Sequence, residues 1–138
     1  MTEKFTAEER AAMREAAKER KLQLSRSESL AATLARIDSM APQDKELALE
    51  VHKLALKVYP DFEVKTWYGM PAYYINGKVV LFFQDGEKFK TRYSTVGFQE
   101  AAKLDEGNFW PTSYALTKVT PEVAKEISAL IERAVGLK

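Results

Sequence analysis

The sequence predicts an α+β domain: an antiparallel sheet of about four to five strands, with N-terminal helices and a C-terminal helix packed mainly on one face. Three observations carry this. The first 58 residues are rich in alanine, leucine and charge at helical spacing. All fifteen aromatic residues except Phe5 fall within 59–114, where β-branched residues also rise. Thr120-Pro121-Glu122 then opens a last apolar-periodic stretch. Helices, then strands joined by short turns, then a helix is the order of an antiparallel sheet covered on one side.

Within the helical part, Thr6 is a cap with Glu9 three residues on, and residues 6–21 read as a first helix with a thin apolar face. "SRSESLAATLARIDSM" follows with serine caps and a Leu30, Leu34, Ile37 stripe, read as a second helix. Pro42 opens a third, to about Tyr59, with Leu47, Val51, Leu54 and Val58 on one face and Leu49 and Leu56 nearly opposite. Such a helix is expected to be covered on two sides. In the C-terminal helix, Val123, Ile127, Leu130, Ile131 and Ala134 share a face.

Between them, "FEVKTWY" alternates as a strand, and "AYYINGKVVLFFQ" reads as a hairpin turning at Asn76-Gly77. "KFKTRYST" alternates again, residues 97–106 read as a short helix and loop, and "TSYALTKV" reads as a last strand. The whole chain, 1–138, is expected to form one domain, with 1–41 as a helical segment attached to a core of 42–138.

Alternation places Phe62, Val64 and Tyr68 beneath the helices, and Glu63, Lys65 and Trp67 on the open side. The same rule puts Lys90 and Arg92 with Trp67 if their strands are neighbours. The hairpin is apolar on both faces, Tyr73, Val80 and Phe82 against Tyr74, Leu81 and Phe83, so it calls for a second cover or marks a binding patch. The loop "DEGNFWPTSY" supplies Phe109 and Trp110, and Gly69-Met70-Pro71 is expected to end strand pairing and redirect the chain. An aromatic and basic concavity of Trp67, Tyr68, Met70, Tyr73, Lys90, Arg92, Tyr93 and Trp110 follows, suited to a small anionic or planar ligand through ring contacts and charge-assisted hydrogen bonds.

Composition narrows the alternatives. The net charge of +1 disfavours nucleic acid as a partner, although "KFKTRY" interleaves basic and aromatic residues. The longest apolar run, "VVLFF", is far short of a membrane span, and "MTEKFTAEERAAM" lacks a signal-peptide core, so a cytoplasmic protein is expected. Cysteine is absent, which removes disulfides, thiolate metal sites and thiol nucleophiles. No serine–histidine–acid pattern, phosphate loop or zinc spacing occurs, and the single histidine, His52, sits within a helix as a packing residue. The expectation is a non-enzymatic binding module without a cofactor.

Three segments, "TWYGMPAYYINGKVVLFFQ", "KFKTRYSTVGF" and "LDEGNFWPTSYALTKVTPEV", with the "FTAEERAAM" start, resemble the YdhG-like domain family of small bacterial proteins. The resemblance spans nearly the whole chain. It implies an α+β domain with an antiparallel sheet, similar to frataxin in outline, and one member is described as an iron chaperone for cluster and haem assembly. Iron is therefore an alternative ligand, with Asp105 and Glu106 and the first-helix glutamates as its candidate holders. Frataxin-like iron binding relies on an acidic first helix, whereas here Arg10, Arg14, Lys18 and Arg20 intersperse Glu8, Glu9, Glu15 and Glu19. A third alternative is a protein-interaction module in which the first helix docks on a partner or pairs as a homodimer.

Overall fold

A computed structural model describes residues 5–137. Three helices and five strands follow in the order α1 (Ala7–Asp38), α2 (Pro42–Val58), β1 (Glu63–Trp67), β2 (Met70–Ile75), β3 (Lys78–Gln84), β4 (Ser94–Phe98), β5 (Ser113–Leu116) and α3 (Pro121–Ala134). The strands form one antiparallel sheet in the order β1-β2-β3-β4-β5. The predicted class is the observed one.

The two expected N-terminal helices are a single helix of 32 residues. Its start is the Thr6–Glu9 capping box, both hydrogen bonds at 3.0 Å. The serines at 25, 27 and 29 do not interrupt it, because a serine within a helix costs only a few tenths of a kcal/mol when no alternative cap competes. Residues 7–28 are exposed wherever their side chains are described, and the stretch before Arg26, about 28 Å of helix, stands clear of the domain among the described residues. Burial begins beyond them, with Thr33, Ile37 and Met40. This last third runs beside β1, and just before it the Arg26 guanidinium donates to the Asp61 carbonyl, ahead of β1, at 3.0 Å.

The core lies between the helices and one face of the sheet. Val51 and Ala55 of α2 and Ile127 and Ile131 of α3 join Val64, Tyr73, Leu81, Phe83, Val96 and Leu116. On α2 the side bearing Leu47, Ala48 and Val51 is buried, while Leu49 remains 41% exposed, so its second apolar face is covered only in part.

Two turns define the strand phase. Tyr68 and Gly69 (φ 50 and 77) and Asn76 and Gly77 (φ 50 and 77) occupy the left-handed region in succession, the signature of two-residue type I′ hairpins. Gly69-Met70-Pro71 therefore does not redirect the chain: Met70 starts β2 opposite Trp67, and Pro71 sits opposite Thr66. The first β2–β3 pair is Ala72 with Phe82, so the missing proline N–H falls where that ladder has not begun.

A register shift between Tyr73 and Tyr74 changes the hairpin's faces. Tyr73, Leu81 and Phe83 point to the helices; Tyr74 and Phe82 share the open face with Lys65 and Trp67.

"KFKTRYST" is not a strand before Ser94. Residues 85–93 form a turn-rich loop in which the N–H groups of Phe89, Lys90 and Thr91 donate to Asp85, Glu87 and Gly86 carbonyls. Lys90 takes φ 57 there. Buried polar groups hold the loop. The Arg36 guanidinium donates to both Asp85 carboxylate oxygens at 3.0 Å, and its Nε donates to the Gly69 carbonyl at 2.9 Å. Asp44 accepts from the Glu87 N–H at 3.0 Å and the Ser94 hydroxyl at 3.2 Å. Helices α1 and α2 thus pin the β1–β2 turn and the β3–β4 loop together. Residues 99–112 after β4 are turns and extended chain, where a short helix was expected.

Candidate ligand-binding face

The face of the sheet away from the helices carries a layer of rings. Trp67 and Phe82 lie 5.3 Å apart between centroids, and Tyr68 and Trp67 form a T-shaped pair at 5.1 Å. Phe82 lies over Gly97, its partner on β4, and a Cβ at that position would overlap the end of the Phe82 ring. Glycine is needed here for close approach. Phe82 in turn contacts Trp67, and Trp67 remains half-buried.

Beside it opens a depression of about 370 Å³, lined by Trp67, Lys78, Val79, Gln99, Glu100 and Ala101. The backbone N–H of Gln99 donates to the Val80 carbonyl at 3.0 Å, which fixes the 99–101 turn as the opposite wall. One aromatic face, one ammonium, one amide and one carboxylate therefore surround a shallow apolar floor. On the same face the Lys65 ammonium lies 4.6 Å above the Tyr74 ring. Burial, and then the Glu63 carboxylate, push the Tyr74 hydroxyl above its ordinary value, so that hydroxyl stays protonated.

Of the eight residues expected to form one concavity, the structure brings Trp67, Tyr68 and Met70 to the same end of the sheet. Tyr68 is 82% exposed at the turn, not beneath the helices, whereas Met70 is buried opposite Trp67. Tyr73 is a core residue on the helix side, where its hydroxyl meets His52 Nδ1 at 2.9 Å. Lys90, Arg92 and Tyr93 belong to the β3–β4 loop. Arg92 stacks 5.3 Å from the Tyr93 ring, and both line a separate depression of about 260 Å³ next to Asp44 and Gln43. Period-two alternation failed there because the loop residues are held by turn hydrogen bonds.

Trp110 packs against the core edge and lines a second depression of about 340 Å³ with Phe98, Leu104 and Asp105. Gln99 and Glu100 belong to both depressions, so the two tryptophans flank a shared turn without facing each other across one cleft. Phe109 is 95% exposed and covers nothing. Sequence reasoning missed Lys78, Gln99 and Glu100. Asn76-Gly77 could have pointed to Lys78 as a hairpin rim, but no local signal places Gln99.

The candidate metal carboxylates do not converge. Glu106 pairs with Arg133 at 3.3 Å, and Glu9 is engaged by its cap. Among the described residues no group of three or more histidine, aspartate or glutamate side chains gathers to hold an ion. No described helix is long and apolar enough to cross a membrane.

Fold and face together define the class: a small α+β domain whose antiparallel meander is helix-covered on one side and ring-lined on the other. No family model, no curated protein and no solved structure matches the chain.

Proposed function

We propose that the protein is a non-enzymatic binding module whose ring-lined sheet face takes a small planar ligand stacked on Trp67. Lys78 and Gln99 recognise a negative or hydrogen-bond-accepting edge of that ligand, and Glu100 a donor on it. The observation that carries this reading is the contact of Trp67 with Phe82, itself seated over Gly97, in the wall of a depression that Trp67 lines. Stacking on a ring already fixed by packing costs little ordering entropy.

The experiment uses a Trp110→Phe protein, in which Trp67 is the only indole, titrated with flavins, nucleobases and heteroaromatic carboxylates. A saturable change in emission that weakens at least several-fold in Lys78→Ala is expected. No response across the panel, or a response indifferent to Lys78 and Gln99 substitution, overturns the reading. The YdhG-like assignment belongs to the same proposal and rests on the three sequence segments that suggested it, together with an α+β fold of the kind it implies.

A second reading has its own observation. The free stretch of α1, residues 7–25, is a long exposed helix with nothing packed on it among the described residues, as an arm for a protein partner would be. Removing residues 1–21 abolishes a homodimer measured by light scattering if the arm pairs with a second copy. A mass unchanged by the deletion and equal to one chain rejects that pairing.

A further inference from the structure

The two edges of the sheet differ. Along β1 runs the last third of α1, whereas β5 is the outermost strand and has no neighbour beyond it among the described residues. The Phe98 N–H donates to the Thr112 carbonyl at 2.8 Å, which makes these residues a hydrogen-bonded pair. Alternation along the antiparallel ladder then turns the N–H and C=O of Ser113 and Ala115 away from β4. An edge with these unpaired groups is a template for another strand.

Next to that edge, on the helix side, a groove of about 180 Å³ separates β5 from α3. Tyr114, Leu116, Val123, Ile127 and Leu130 line it, with Lys118 and Glu126 at its rim. Open amides and an apolar slot therefore lie side by side.

We propose that this edge is a peptide-docking site, at which an extended segment of another protein adds a sixth strand beside β5 and inserts one aliphatic or aromatic side chain between β5 and α3. The amides specify an extended backbone, because only a strand presents donors and acceptors at their spacing. The groove specifies one apolar side chain on the helix-facing side of that strand. Size selects a peptide over a second copy. Pairing across four residues and filling one slot buries a fraction of the roughly 1,200 Å² that a stable interface needs. Affinity in the micromolar range and fast exchange follow.

The test is selection of a random decapeptide library displayed on phage against the intact protein, with an unrelated protein as control. Enriched clones are expected to share one aliphatic or aromatic position and to slow amide hydrogen exchange at Ser113 and Ala115. Ser113→Pro removes one outward N–H without touching the β4 ladder and is expected to weaken binding by about tenfold or more. Ser113→Ala, which keeps that N–H, is expected to bind as before, and Leu130→Lys to lose binding by filling the slot with charge. No enrichment over control, or clones indifferent to both Ser113→Pro and Leu130→Lys, overturns the proposal. A concentration-dependent dimer abolished by Ser113→Pro overturns it in favour of a second copy.

Discussion

The hydroxyl of Tyr73 on β2 and Nδ1 of His52 on α2 lie 2.9 Å apart, joining sheet to helix through the only histidine in the chain. Burial pushes the Tyr73 hydroxyl well above its ordinary value and lowers His52, so the pair is neutral, and the imidazole tautomer decides which partner donates. Protonating His52 would put a charge in a desolvated site beside the fully buried Tyr73.

The pH dependence has a definite sign. The unfolded chain takes up a proton near 6.5, whereas folded His52 resists it. Stability from this group is complete above the unfolded value and declines as pH falls below it, until the lower folded value is reached. Urea midpoints between pH 7.5 and 5 should fall more steeply for the wild type than for His52→Gln; equal slopes would reject the assignment.

Arg36 binds Asp85 and Gly69 at once, with the Asp85 side chain 3% exposed. Arg36→Met leaves a buried carboxylate without its counter-charge and is expected to cost about 3 kcal/mol. The double variant with Asp85→Leu should recover part of the loss. Chemical denaturation of both proteins measures it, and additive losses would count against a coupled pair.

Gly97→Ala puts a methyl group into the Phe82 ring. Overpacking of this kind costs about 1–3 kcal/mol. The displaced Phe82 should shift the emission maximum of Trp67 in the Trp110→Phe background; an unmoved spectrum would mean that Phe82 does not set the indole's position.

Removal of residues 1–21 takes away the start of α1, which is exposed along its length among the described residues. The thermal transition is expected to stay within a few degrees of the full chain, since surface changes outside the core rarely exceed about 0.5 kcal/mol. A collapse of the transition would show that the overhang contributes to folding.

Much of the fold was legible because its signals are local. Asn76-Gly77 announced its hairpin, the Thr6–Glu9 box its helix start, and the Val123 to Ala134 stripe its packing face. The site was legible only around Trp67. Tyr73 lies in the core because it pairs with Val64 of β1 and Leu81 of β3, and the register shift that follows it comes from strand pairing, which no window of residues shows. Alternating charge in 88–93 imitated a strand, while the contacts that make it a loop come from Arg36 and Asp44, some 50 residues away. Gln99 reached the site by a hydrogen bond to Val80 across the sheet.

Because each strand pairs only with its neighbour along the chain, the sheet needs no crossover, and two tight turns fix three of its strands within 22 residues of sequence. The chain can assemble hairpin by hairpin, with little entropy spent on closing long loops before the first contacts form. Refolding should accordingly be fast for a β-containing domain, on roughly the millisecond scale, with no wait for a distant segment to arrive.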